Sequence, residues 1–314
     1  MKAFLWNIRS VKSQKAFQRV HISRLQMPLM FHNCNGKIWL FVNHGFTATL
    51  ISDTNQQLSL NLCSQTLGIS FLTTIVYAKC DKNLRMDLWG DILSLSNGIS
   101  MPWILGGDFN AVLNGVEKIG GIPVVAADVE DFNNCVEACD VLQIQYKGSP
   151  FTWWNGRAGD DCIFERLDRV FSNSEFQGLY SHLEVEHLTR DGSDHAALLL
   201  SCENRNSKLQ RPFKFLKIWT EHEDFKEVVS SGWDSTFANN PFLDYKRKIK
   251  HVKKALTIWS RQTYGDIFPQ LLIKEEIAKL KEKLFEEFPS QENRAVMQKA
   301  KAEYTRYLHL EESY

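Results

Sequence analysis

Three shortages mark this sequence of 314 residues: no Asp or Glu precedes Asp53, no C-x-x-C pair occurs among the seven cysteines, and no apolar run approaches the roughly 20 residues of a membrane-spanning helix. The third shortage excludes an integral membrane helix. The second argues against a disulfide framework, so the cysteines at 34, 63, 80, 135, 139, 162 and 202 read as reduced thiols, Cys135 and Cys139 lying at helical spacing in an apolar stripe. The apolar start from Met1 to Asn7 is too short for a signal peptide, and the expected compartment is intracellular, cytoplasm or nucleus. With 44% hydrophobic and 24% charged residues the chain can bury a sizeable core, enough for one large domain and an appendage or for two domains.

Net charge is also lacking, but the balance of 37 basic and 37 acidic side chains conceals a strong asymmetry. Residues 1–52 carry seven Lys or Arg and no acid, residues 53–205 carry ten basic and 21 acidic groups, and residues 206–314 carry 20 and 16. The segments are therefore +7, −11 and +4. An acidic centre suits a metal site and basic ends suit a phosphate backbone, although either can be solvated surface.

From Ile38 to about Cys202, short β-branched and aromatic runs alternate with turns and a few helical stretches, the pattern of a mixed α/β domain. Expected strands are Ile38–Val42, Thr47–Ile51, Ile69–Tyr77, Trp103–Leu105, Phe151–Trp154, Arg166–Phe171 and Ala196–Leu200. Expected helices carry Leu84, Leu88, Ile92 and Leu95, and Val129, Phe132, Val136 and Cys139. Residues 204–212 have no apolar periodicity and read as a linker between a domain over 1–203 and a helical region over 213–314. That region shows three stripes: Ile249, Val252, Leu256 and Trp259; Ile273, Ile277, Leu280 and Leu284; and Met297, Ala300, Tyr304 and Tyr307.

The sharpest local feature is Gly106-Gly107-Asp108-Phe109-Asn110 after a buried strand. In extended chain, residues i and i+2 share a face, so Asp108 and Asn110 project together. The carboxylate can orient or deprotonate water and the carboxamide can donate to a phosphate oxygen, although a simple Asx turn fits the same pattern. Asp194 and His195 adjoin in a polar loop before an apolar run. The His can act on a proton or stabilise phosphoryl transfer, and its neighbour can hold a divalent ion. Asp168 lies within a strand-like run and needs a partner, for which an imidazole is suitable. Asn7 also reads as a turn residue, Tyr77 as a core or edge aromatic. Asp160-Asp161 lies in a Gly-rich loop without a flanking hydrophobic hairpin and is set aside.

In order, Trp6-Asn7-Ile8-Arg9, Tyr77, Gly106-Gly107-Asp108-Phe109-Asn110, Arg166-Leu167-Asp168-Arg169 and Ser193-Asp194-His195 resemble the signature of the exonuclease–endonuclease–phosphatase superfamily. The closest resemblance is to the endonuclease domain of plant LINE-type non-LTR retrotransposons. It is carried also by Glu117-Lys118-Ile119-Gly120-Gly121, Phe151-Thr152-Trp153-Trp154-Asn155 and Leu167-Asp168-Arg169-Val170-Phe171. Arg211-Pro212-Phe213-Lys214-Phe215, Trp259 and Tyr264-Gly265-Asp266-Ile267-Phe268 look like the connector that such polyproteins place before a reverse transcriptase. The resemblance implies a four-layered α-β-β-α sandwich of two packed mixed sheets with a C-terminal α-helical extension. It implies hydrolysis of a DNA phosphodiester with Mg²⁺ or Mn²⁺ and no small-molecule cofactor. Asn7 and Asp194 would hold the ion. Asp108 would act on the attacking water, Asn110 and Tyr77 would contact the scissile phosphate, and His195, oriented by Asp168, would stabilise the transition state.

One part of that pattern is missing. Such enzymes place a glutamate metal ligand some tens of residues after the Asn, and here no carboxylate occurs before Asp53. Impaired activity is therefore expected. The alternatives are a non-catalytic relic that binds nucleic acid weakly through its basic ends, including the helix with Lys246, Arg247, Lys248, Lys250, Lys253 and Lys254, and a phosphoesterase of the same superfamily with another substrate.

Overall fold

The computed structural model describes residues 1–5, 7, 29–42, 45–190, 192–203, 215, 219–220, 222–233, 241–264 and 267–313. They form two compact units, residues 1–207 with 289–291, and residues 208–288 with 292–314.

The first unit is built on two mixed sheets. The larger has the spatial order β4 (Thr47–Asp53), β5 (Gln57–Ser64), β6 (Ile69–Tyr77), β7 (Trp103–Asp108), β13 (Asp168–Ser172) and β9 (Leu142–Gln143), with only β6 and β7 parallel. The smaller runs β1 (Lys2–Leu5), β15 (Leu198–Glu203), β14 (His182–His187) and β10 (Tyr146–Lys147), the last pair parallel. Two minor sheets join β11 (Trp153–Trp154), β12 (Phe164–Glu165) and β8 (Lys118–Ile119), and β2 (Leu29–His32) with β3 (Trp39–Val42).

The period of two along a strand sorts the core into two layers. On β6, Phe71, Ile75 and Tyr77 join Ile104, Val170, Val185, Leu198 and Leu200 between the sheets. Leu72 and Val76 turn the other way, with Trp103, Leu105 and Phe171, towards two helices. These are α1 (Lys82–Asn97), started by the Asp81 carboxylate accepting from the Asn83 and Leu84 N–H groups, and α2 (Ala126–Ala138). Trp89, Phe109 and Phe132 stack beneath them, with centroids 4.9–6.5 Å apart. Helix, sheet and sheet are thus three layers of a four-layered α/β sandwich. The expected linker over 204–212 lies outside the described residues.

All seven expected strands occur, Ile69–Tyr77 with both ends as expected and the others with shifted ends, whereas β5 and β14 go beyond the expectation. On β5, Leu58, Leu60 and Leu62 face the inter-sheet core while Gln57 and Ser59, equally buried, face away. The polar side is satisfied by Ser59 Oγ donating to Gln57 Oε1 at 2.6 Å, Ser59 and Thr74 hydroxyls 2.8 Å apart, and Trp103 Nε1 donating to Thr74 Oγ1 at 3.0 Å. A polar ladder of this kind looks like a surface strand until its partners are known. A short helix, α3 (Ser174–Gly178), follows β13 and buries Phe176.

The second unit contains α4 (Phe225–Trp233), α5 (Pro241–Tyr264), α6 (Ile267–Glu287) and α7 (Gln291–Ser313). Val252, Leu256 and Trp259 of α5 pack against Trp219, Phe225, Val228 and Val229, as their spacing predicts. The stripe predicted on α6 faces the wrong way: Ile273, Ile277 and Leu280 are 53%, 37% and 63% exposed, whereas Ala278, Glu282, Phe285 and Glu286 are buried. The reason is the neighbouring helix. Glu282, on the inward face with Ala278 and Phe285, pairs with Lys301 of α7 at 2.9 Å, and Lys274 pairs with Glu303 at the solvent edge at 2.7 Å. Among the described residues no helix is long and apolar enough to cross a membrane.

Candidate active site

Three adjacent strand ends bring the acidic residues together. Tyr77, last in β6, is level with Asp108, last in β7, and Asp108 is level with Asp168, first in β13. The close packing requires glycine at 107. Its φ is +138°, and a Cβ there would stand 2.1 Å from the Val76 carbonyl oxygen. Asn110, two residues on, takes the left-handed conformation at φ +46°, which Asn tolerates better than most residues. Its N–H donates to Asp108 Oδ1 at 2.9 Å, and its Nδ2 donates to Ala78 O at 2.7 Å and Asp108 Oδ2 at 3.2 Å. Both amide hydrogens are thus used within the site.

His195 comes from the opposite side, in the loop before β15. Its Nδ1 donates to Asp168 Oδ2 at 2.9 Å, and its Nε2 lies 3.9 Å from Asp108 Oδ2. Asn7, just beyond β1, completes the group: its Nδ2 is 2.7 Å from Asp108 Oδ2, to which it donates, and 3.3 Å from His195 Nε2. Asp108, Asp168 and His195 are all buried. Burial pushes the Asp108 carboxyl up, with the Asp168 charge adding to it, to about 7. Burial pulls the His195 imidazole down, but Asp168, by charge and hydrogen bond, and then Asp108 and Asp194 outweigh it, raising it to about 9. Asn7 Nδ2 can be shared with Nε2 only while that nitrogen carries no proton. Once protonated, Nε2–H has Asp108 as its facing acceptor.

The loop carrying His195 is locked by residues to which sequence reading gave no separate role. Ser193 Oγ donates to the Asn7 carbonyl at 2.8 Å and accepts the His195 N–H at 3.2 Å. Trp153 Nε1 donates to Asp194 Oδ2 at 3.1 Å. The buried Thr152 hydroxyl accepts both the Leu167 and Asp168 N–H groups, at 3.0 and 2.9 Å, and so fixes the start of β13. A buried threonine in an aromatic run was the available signal. Tyr77 is half-buried against the inter-sheet core. Trp6, Ile8, Arg9 and Asp191 lie outside the described residues.

Among the described residues, one group of three could hold a metal ion: Asp108, Asp168 and His195, whose ligand atoms lie within 4.8 Å of one another. This donor set does not make a Mg²⁺ cage. Mg²⁺ favours six oxygens in near-octahedral array, whereas here one donor is an imidazole already tied to one of the two carboxylates. Asp194 is engaged by Trp153 and by Ser193 at 3.4 Å. No carboxylate from residues 1–52 is available to add charge.

Two packed mixed sheets with helices outside make a four-layered α/β sandwich whose carboxylate and imidazole side chains gather at adjacent strand ends. No family model matches the chain, and no curated protein matches it. Among solved structures, the endonuclease domain of TRAS1, a telomere-specific non-LTR retrotransposon, is 15% identical with a TM-score of 0.52, covering 67% of this chain and 99% of that domain. The 3′ phosphatase NExo from Neisseria, bound to a product DNA hairpin, is 12% identical with a TM-score of 0.46, covering 65% of this chain and 99% of its own. D. rerio TDP2 complexed with a single-strand DNA product is 12% identical with a TM-score of 0.42, covering 64% and 97%. At 15% identity the likeness to the TRAS1 domain is one of fold.

Proposed function

We propose that residues 1–203 are a DNA endonuclease-like domain of a retroelement, with a helical connector over 213–314, whose metal-dependent phosphodiester hydrolysis is impaired. The observation that carries this reading is the Asp168–His195 pair facing Asp108 and Asn7 at the ends of three neighbouring strands. In it, Asp108 orients or deprotonates the attacking water. With its carboxyl raised to about 7, it is matched to general-base work near neutral pH. His195, aligned by Asp168 and raised to about 9, carries a proton at neutral pH and donates it in a hydrogen bond to the phosphoryl oxygen. Tyr77 and Asn110 belong to the phosphate-contacting edge, and Asn7 and Asp194 to the metal-contacting edge. An intracellular setting and DNA as substrate go with this reading.

The impairment follows from charge. A hard dication without its expected glutamate loses an anionic ligand, and even changes behind the ligands typically cost about 10- to 100-fold. The test is nicking of supercoiled plasmid in Mg²⁺ and in Mn²⁺, with Asp108→Ala as control. Slow nicking that disappears in the control supports the proposal, and absent nicking supports the impairment alone. Rapid nicking abolished by Asp108→Ala would refute the impairment while keeping the site, and nicking unchanged by the substitution would refute the site.

A further inference from the structure

Helix α5 carries seven Lys or Arg and a single acid, Asp244. At 100° per residue, Lys246, Arg247, Lys250, Lys253, Lys254 and Arg261 fall within one arc of about 120°, and all six are exposed. That arc contains no carboxylate. Asp244 lies outside it and pairs with Lys248 at 3.4 Å, and Lys248 also lies over the Trp233 ring. Lys246, Lys250, Lys254 and Arg261 have no ion-pair partner among the described residues.

A merely solvated face looks different, as the same unit shows. On α6, lysines are interleaved with acids: Lys279 pairs with Glu275 at 2.8 Å and Glu276 at 3.4 Å, and Lys283 lies 4.0 Å from Glu287. On α5, Lys246, Lys250 and Lys254 succeed one another at i, i+4, where like charges repel. An external polyanion would relieve that repulsion. Of the apolar side chains of α5, Val252, Leu256 and Trp259 face the core of the unit, and the exposed ones, Phe242, Leu243 and Tyr245 at its start and Ile258 beyond Lys254, do not form the continuous stripe that a helix lying on a membrane would insert. From Lys246 to Arg261 the stripe spans about 22 Å at 1.5 Å per residue, matching about six base pairs at 3.4 Å each.

We infer that the exposed face of α5 docks the phosphodiester backbone of a nucleic-acid duplex, binding charge without reading sequence. This stands on the charge pattern of the helix and is independent of the hydrolytic reading. The experiment uses the full chain and a labelled 20-base-pair DNA duplex, with binding followed by fluorescence anisotropy between 50 and 200 mM NaCl. Four contacts, from Lys246, Lys250, Lys254 and Arg261, give a log–log salt slope near −3.6, hence roughly a 150-fold loss of affinity over that range. The variant Lys246→Gln/Lys250→Gln/Lys254→Gln/Arg261→Gln should flatten the slope by about 3.6, at 0.9 for each contact removed. A charge-matched control, Lys279→Gln/Lys281→Gln/Lys283→Gln/Lys299→Gln, should bind as the parent does. Circular dichroism confirms that each variant keeps its helices. An unchanged slope in the α5 variant, an equal loss in the α6/α7 control, or tighter retention by anionic phosphatidylserine vesicles than by the duplex would each overturn the inference.

Discussion

Glu117 and Asp108 are both buried carboxylates of the first unit, and they are treated in opposite ways. Glu117 is clamped by Arg169, whose Nη1 donates to Oε1 at 2.9 Å, and by Arg166, while Oε2 accepts the Leu113 N–H at 2.6 Å. Burial pushes its carboxyl up, but the hydrogen bond and charge of Arg169, with Leu113 and Arg166, hold it below the ordinary carboxylate range. Asp108 faces a second carboxylate, one carboxamide on each side and an imidazole, and is raised to about 7. A buried charge that only holds structure is compensated in full by cations. The Asp108 region is left under-compensated, a condition that costs stability and suits proton transfer.

The buried histidines repeat the contrast. His187 Nδ1 lies 2.7 Å from the Ser149 carbonyl, its ring stacks on Tyr146, and burial lowers it to about 4. His195 has a carboxylate at the same nitrogen and is raised instead. The ring is the same; the neighbour decides the sign.

The largest effect that would sharpen this contrast is expected from Glu117→Gln. It leaves the Arg169 guanidinium buried without a counter-charge and should destabilise the fold by about 3–5 kcal/mol, read from urea unfolding. A loss below about 1 kcal/mol would break the claim that Glu117 is structural.

Next comes the acid limb of stability. The folded His187, at about 4, lies below its ordinary value of 6.5, so folding expels a proton: its contribution is intact above pH 6.5 and falls as pH drops towards 4. The shift amounts to about 3 kcal/mol. His187→Gln should remove that dependence from a pH series of unfolding curves, and an unaltered acid limb would assign it to other groups.

A smaller gain is expected from Asp108→Asn. Because the carboxyl is raised in the fold, its ionised form is disfavoured, and neutralising it should stabilise the protein by about 1 kcal/mol or more at pH 8 while abolishing any nicking. Loss of both stability and activity would place Asp108 with the structural carboxylates.

The smallest perturbation concerns titration. Asp168→Asn removes the main group that raises His195, and its imidazole should move from about 9 towards or below 6.5, followed by proton NMR. The sign is opposite to that of His187. The raised His195 stabilises the fold fully below pH 6.5, and that stabilisation is lost as pH rises through 9. A His195 titration indifferent to Asp168 would dissolve the pairing.

Much of this was legible in the residues. Ile69–Tyr77 forms β6 over its whole predicted length because both of its faces are apolar, and such a run is satisfied only inside a sheet covered on both sides. Asp108, Asp168 and His195 could be singled out because a carboxylate at a strand end or within a strand needs a partner. Ser193, Trp153 and Thr152 stand within the quoted motifs without a role of their own, since an indole N–H or a hydroxyl reveals its role only when its acceptor or donor is in place. β5 escaped for the same reason: its Gln57–Ser59–Thr74 ladder is a set of partners rather than a pattern.

By itself the sequence determined the periods, the order of the acidic motifs, the lack of any acid before Asp53 and the same-sign stripe on α5. These are properties of chain spacing and composition, so local geometry alone expresses them. Only the tertiary structure decided which face of α6 turns inward, which carboxylate receives two guanidinium groups, and which way each buried histidine titrates. Those outcomes depend on dielectric surroundings and on partners tens to almost two hundred residues away, such as Asn7 against His195, which no local window contains.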